Sequence, residues 1–206
     1  MKLVSNTDHV LQGGVHRYSR GLLSWSASLI VVWVLFSTST LSAQQSRPRE
    51  YEVKATYLYN FARFVEWPVR AAAAKGDSFA ICVLGQDPFG PALDATLAGE
   101  TIDGKRVLLK RISRPQDAVI CRILFISLSE DGQLKDVLAA LDKTGVLTVS
   151  DIPNFSQRGG MIQFVLDGNR IRFAVNLTTA QDAGLTVSSE LLKVAITVRR
   201  DSQPGA

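Results

Sequence analysis

Histidine is nearly absent from this 206-residue chain: His9 and His16 are its two, and both lie ahead of a segment that reads as a removable leader. A chain without histidine cannot run a Ser-His-Asp or Cys-His mechanism, nor build a histidine-ligated metal site. Cysteine is as scarce, with Cys82 and Cys121 the whole complement. No apolar run reaches the ~20 residues that a bilayer span needs. The charge excess is small, 23 basic against 19 acidic side chains, and half of it falls in the first 43 residues. Charge spread this thinly argues against a nucleic-acid partner.

What is present is a globular composition, 46% apolar and 20% charged, which excludes disorder, collagen and coiled coil. Residues 22–36 are mostly apolar, preceded by Arg17 and Arg20 and followed by small and polar residues up to Ala43. That is the three-part layout of a secretory signal, with cleavage expected after Ala43. A retained anchor is the alternative, weakened by the serines at 24, 26 and 28. In an oxidising compartment an even cysteine pair is most simply a disulfide. Two separate buried thiols are the other reading, because both cysteines sit in strongly apolar stretches.

The mature chain begins with a polar lead-in over 44–49. An amphipathic helix of about 17 residues follows, with Val53, Tyr57, Phe61 and Phe64 as its buried stripe, ended by Trp67-Pro68. Residues 71–78 form a linker. The unbroken run 79–84 reads as a strand buried on both faces, and GQDPFG (85–90) turns into a helix over 88–97 with Asp87 as cap. Further strands are expected at 106–112, 120–127 and 146–150, with a helix over 131–141. Asp167-Gly168-Asn169 marks a hairpin between 161–166 and 170–175. A helical turn over 178–183, a helix over 189–198 capped by Ser188, and a disordered tail over 199–206 complete the reading. The fold class is α/β: one domain over 50–198, a mixed sheet flanked by helices, with a late antiparallel hairpin and a C-terminal helix.

Chemistry is thinly represented. GQDPFG lacks the Gly-Lys-Ser/Thr ending of a phosphate loop. Ser150, Asp151 and Asn154 form the densest polar cluster, at what would be the C-terminal edge of the sheet, where ligands usually bind. They are the candidate ligand-binding residues. No Ser-x-x-Lys pair and no spaced carboxylate pair supports catalysis, so the expectation is a protein that is not an enzyme, with no cofactor and no metal. Alternation in the hairpin and its adjoining turn points to Phe155, Met161, Arg170, Arg172 and Leu177 as a partly apolar partner-binding surface.

Seven blocks together resemble the YfiR family: YxVKAxYLYNFxxFVEWP (51–68), ICVLGxDPFG (81–90), CRILFIS (121–127), LTVSD (147–151), FxxxGGMIxF (155–164), IRFAVNL (171–177) and AGLTVSSELLKVA (183–195). They fall in the family's order and cover nearly all of 51–198. The resemblance implies a small periplasmic α/β protein with no catalytic centre, dependent on disulfides. It further implies a repressor that binds the periplasmic sensor domain of a membrane-bound diguanylate cyclase, and so lowers cyclic-di-GMP and biofilm formation. A sensor kinase is the other membrane partner it allows. A homodimer and a small-molecule ligand stay open beside it. Ala174 stands where many relatives are expected to carry an acidic residue, so no carboxylate contact is transferred to that position.

Overall fold

The computed structural model describes residues 46–68 and 77–200. The leader over 1–43, most of the linker over 71–78 and the tail beyond residue 200 lie outside the described residues.

Helix α1 (Ser46–Phe64) and the short strand β1 (Val65–Glu66) open the domain. Then come β2 (Ser78–Leu84), α2 (Pro91–Leu97), β3 (Thr101–Ile102) and β4 (Lys105–Ile112), followed by a 3-10 segment (Pro115–Ile120) and β5 (Ile123–Ile126). A second 3-10 segment (Leu128–Gln133) runs into α3 (Leu134–Ala140), ahead of β6 (Leu147–Ser150), β7 (Ile162–Asp167) and β8 (Arg170–Asn176). The chain ends with α4 (Leu177–Asp182), β9 (Thr186–Val187), α5 (Ser189–Val194) and β10 (Thr197–Arg199).

Eight strands form one mixed sheet in the order β10-β8-β7-β6-β5-β2-β4-β3. From β4 to β7 neighbours run parallel, while the β7–β8 and β3–β4 hairpins are antiparallel. Strand β2 is flanked by the next long strand, β4, on one side and by β5 on the other. The sequence of parallel strands therefore reverses direction at β2, as in flavodoxin-like doubly wound sheets. β1 and β9 pair separately, with Val65 opposite Val187.

A central parallel strand must be apolar on both faces, and β2 is buried at six of its seven positions. Phe79, Ile81 and Val83 face a core completed by α1, α2 and the hairpin; Ala80, Cys82 and Leu84 face a second core under α3 and the 3-10 segments. In that second core Cys82 and Cys121 form a disulfide, Cα atoms 5.9 Å apart, with both residues fully buried.

Several boundaries differ from the sequence reading, each for a local reason. The buried arc of α1 runs through Lys54, Ala55, Leu58, Phe61 and Ala62, while Val53 and Phe64 are 44% and 38% exposed. Lys54 turns its side chain inward to an acidic partner and rotates the helix by about one residue. The helix after GQDPFG begins at Pro91, three residues later than expected. Asp87 Oδ1 accepts from the Phe89 N–H at 2.7 Å, a local turn that replaces the expected cap. The strand expected over 120–127 is shorter, because Pro115–Ile120 winds into a 3-10 turn before Cys121. Asp131 and Gln133 belong to the other 3-10 segment, so α3 starts at Leu134.

Ser188 does cap α5, accepting from the Leu191 N–H at 3.3 Å. That helix stops at Val194, and the chain becomes extended at Ala195. The β-branched run Ile196-Thr197-Val198 then favours a strand, and β10 pairs in parallel with β8. Arg199 thus belongs to the sheet rather than to a tail.

The disulfide spans 39 residues, a loop for which chain entropy gives about 4 kcal/mol of stabilisation. The Cys82→Ala/Cys121→Ala double variant is expected to lose about this much, read from its urea midpoint. An unshifted midpoint would mean that packing alone holds the second core.

Candidate functional site

Registration of the parallel strands places Leu84 beside Ile126, and Ile126 beside Ser150. The next residue of each strand, Gly85, Ser127 and Asp151, therefore stands at the C-terminal edge of the sheet. In doubly wound folds ligands occupy the crevice at the strand reversal, here between β2 and β5.

The protein fills that crevice with its own side chains. Gly85 adopts φ +84°, and a Cβ there would lie 2.3 Å from Glu130 Oε1 and 2.4 Å from Ser129 Oγ. Glu130 is 9% exposed. It accepts from Ser129 Oγ at 2.9 Å and from Gln133 Nε2 at 2.7 Å. Ser129 Oγ in turn accepts from the Gln86 N–H at 3.0 Å. A buried carboxylate with these donors is satisfied, so the usual ligand position is a closed polar plug.

One strand further along, the edge carries a buried cation. The Lys54 side chain is 3% exposed and reaches Asp151 Oδ2 at 2.6 Å and Glu50 Oε1 at 2.5 Å. The Tyr51 hydroxyl donates to the same Asp151 oxygen at 2.7 Å. The ammonium also lies 4.3 Å from the Tyr51 ring centre and 5.9 Å from that of Phe164. Two carboxylates and two rings offset the cost of desolvating it. Asp151 Oδ1 is buried and has no hydrogen-bond partner among the described residues. Tyr51 packs edge-on against Phe89 at 5.3 Å, and Phe89 against Phe125 at 4.7 Å, which ties the cluster to the loop after β2.

A third polar group sits on the outer side of β4. Arg111 binds Asp87 Oδ2 at 2.7 Å and also pairs with Asp94. The guanidinium holds the Asp94 carboxyl below the usual carboxylate range, chiefly by hydrogen bonding. Both carboxylates in turn keep Arg111 firmly cationic. The arrangement clasps α2 to β4.

Of the three candidate ligand residues, Asp151 alone lies in the Lys54 cluster. Ser150 is fully buried; its hydroxyl donates to the Ile126 carbonyl at 2.7 Å and accepts from the Ile152 N–H at 3.0 Å. It braces β5 and β6 and is not presented to a ligand. Asn154 is exposed with φ +58°, and its carbonyl accepts from the Gln157 and Arg158 amides. It shapes a turn, and its side chain makes no hydrogen bond to Asp151.

The candidate partner surface divides as sharply. Phe155 is fully buried, Met161 is 5% exposed and Leu177 8%, so these three close the core instead of facing outward. Phe155 packs so tightly that a Cβ on Gly160 would come within 2.1 Å of its ring. Ala174 is likewise buried, between its register partners Gln163 in β7 and Thr197 in β10. Arg170 is exposed and Arg172 half-buried, and these two remain as surface groups. Sequence reasoning missed Lys54 and Tyr51. Their signal was a lysine one residue off an apolar stripe, which by periodicity alone reads as a solvated position.

Among the described residues no helix is long and apolar enough to cross a membrane, and no cluster of three or more His, Cys, Asp or Glu is arranged to hold a metal. Fold and site together define a disulfide-braced, doubly wound α/β domain whose buried polar groups are spent on holding the edge of its sheet. The model of the YfiR/HmsC-like family matches residues 51–196, and the chain belongs to that family. Membership supports a periplasmic, regulatory rather than catalytic role in general terms.

No curated protein matches the sequence. Among solved structures the chain is similar to a conserved domain protein from Vibrio cholerae O1 biovar El Tor, at 11% identity and TM-score 0.47, covering 65% of this chain and 60% of that one. It is also similar to an ABC domain in complex with L-Trp from Streptococcus pneumonia, at 12% identity and TM-score 0.45, covering 59% and 55%. The chain thus spans less than two thirds of either structure, and at these scores neither bears on function.

A double-mutant cycle tests the buried pair. Lys54→Met and Asp151→Leu should each cost about 2–4 kcal/mol, because each strands a charge in a largely apolar pocket. The double variant should cost less than their sum by about 1–3 kcal/mol. Additive losses in urea unfolding would mean that the two charges are not coupled.

Proposed function

We propose that the chain is exported with loss of residues 1–43 and acts in the periplasm as a regulatory binding protein. In this reading it represses an inner-membrane signalling enzyme of the diguanylate cyclase type by binding that enzyme's periplasmic sensor domain. Membership of the YfiR/HmsC-like family is the observation that carries the reading. The buried Cys82–Cys121 disulfide supports it, since such bonds form and persist in oxidising compartments. A rigid domain is also what a repressor by binding requires: ordering entropy is paid in folding and not again at the interface.

Of the hairpin surface, Arg170 and Arg172 are the groups available to a partner. Rim charges of this kind act mainly on association rate and specificity. A second reading rests on Asp151 Oδ1, a buried acceptor at the C-terminal edge of the sheet that has no partner among the described residues. A small molecule carrying a hydrogen-bond donor would satisfy it, and binding to one conformer would shift the affinity for a membrane partner.

Arg172→Glu is expected to weaken repression of the cyclase in cells while leaving the melting temperature within about 2 °C of the parent, as for a surface substitution. Cyclic-di-GMP level is the readout. Full repression by that variant would remove the hairpin charge from the interface. A ligand-dependent rise in melting temperature for the isolated chain, absent in Asp151→Leu, would favour the small-molecule reading.

A further inference from the structure

The sheet has an open long edge. β4 is paired with β2 from Arg106 to Ile112, whereas β3 covers only Lys105 and Arg106 on the other side. The Val107 N–H still finds the Glu100 carbonyl at 3.0 Å. Backbone groups alternate along a strand, so those of Leu109 and Arg111 point outward as Val107 does. Ile112, in the opposite phase, accepts from the Gly85 N–H at 3.3 Å on the β2 side. Among the described residues no strand pairs with the outward amides and carbonyls of Leu109 and Arg111.

Side chains on this edge sort by face. Val107 and Leu109 pack toward the core shared with α1 and α2, and Arg111 follows them, neutralised by Asp87 and Asp94. The other face shows Leu108, 37% exposed, then Lys110, also exposed, then Ile112 packed at the margin of the disulfide core. The 3-10 segment packed against β4 on the way to Cys121 adds Val119 and Ile120, 56% and 41% exposed. Arg106 and Arg114 flank the open stretch and both are exposed; Arg114 also pairs with Asp117 at 2.9 Å, so Lys110 and Arg106 carry most of the cationic character. Two copies of this edge repel one another through their cations, a common guard against self-pairing. An acidic strand is admitted.

We propose that the outer edge of β4, over residues 108–112, is a docking site for an extended acidic segment of a partner protein, which adds to the sheet as a further strand. Its recognition pattern is apolar-x-acidic-x-apolar, the acidic side chain beside Lys110 and the apolar ones beside Leu108 and Ile112, with further acidic residues beyond both ends for Arg106 and Arg114. The pattern reads the same in either strand direction. Main-chain bonds to Leu109 and Arg111 supply affinity, and the alternate side chains supply specificity. The inference rests on the reading of this chain as a binding protein, but not on the partner being a cyclase.

The probe is the nonapeptide Asp-Thr-Val-Thr-Glu-Thr-Val-Thr-Asp, titrated into the mature chain and followed by backbone amide exchange. Saturable binding that slows exchange at the Leu109 and Arg111 amides is expected. Lys110→Glu should weaken it about tenfold, equivalent to reversing one close charge pair, with the melting temperature unchanged. The same peptide with lysine in place of its three acidic residues should not bind. Absence of binding, protection at β10 instead of β4, or equal binding of the lysine peptide would each overturn the proposal. If a cyclase sensor domain binds the chain and Lys110→Glu leaves that affinity intact, the edge inference fails while the proposed function stands.

Discussion

Everything in the sheet hangs on the reversal at β2, and the Cys82–Cys121 bond closes the loop that makes it. The chain leaves β2 on one side to build α2, β3 and β4, and must come back across to set β5 on the other. Such a crossover is expensive in loop entropy, and the disulfide joins the middle of β2 to the residue pair that precedes β5. With that step secured, β6 and β7 add outward in simple order, and β2, β5 and β6 are buried on both faces. The two cores are then separate packing problems on opposite faces of one covalently fastened strand.

Much of this was legible because burial on both faces leaves an unambiguous trace. A continuous apolar run marked β2, and the Asp-Gly-Asn turn marked the hairpin, whose Asp167 and Arg170 face each other across it. Elements that failed to read cleanly are those where tertiary contacts overrode local preference. Val194 ends its helix because an open position beside β8 accepts Thr197–Arg199 as a strand. Pro115–Ile120 winds up because the chain must be shortened to bring Cys121 under β2. The fate of Phe155 follows similar logic: it lies in a loop, where side chains usually face water, yet it plugs the end of the second core against a glycine.

The Lys54 cluster was harder to see, since Asp151 lies 97 residues from Lys54 and 100 from Tyr51 in sequence. Periodicity places a lysine on a helix face; it says nothing of a carboxylate waiting at the end of a distant strand. Buried ion pairs of this sort contribute little net stability against an apolar alternative. Their cost is specific to the wrong geometry, because α1 docked one residue out of register would leave an unpaired charge in the core. The pair therefore reads as a device for helix position. The plug of Glu130 and Ser129 over Gly85 serves the neighbouring strand ends in the same way.

The order of the elements along the chain bears on how the protein is made. α1 is the first described element and packs against α5, one of the last; β1 pairs with β9, and β10 completes the sheet beside β8. The first helix therefore has no finished surface to dock on until the last of the described elements has been made. The domain closes by joining its two ends, a long-range contact pattern of the kind that folds slowly.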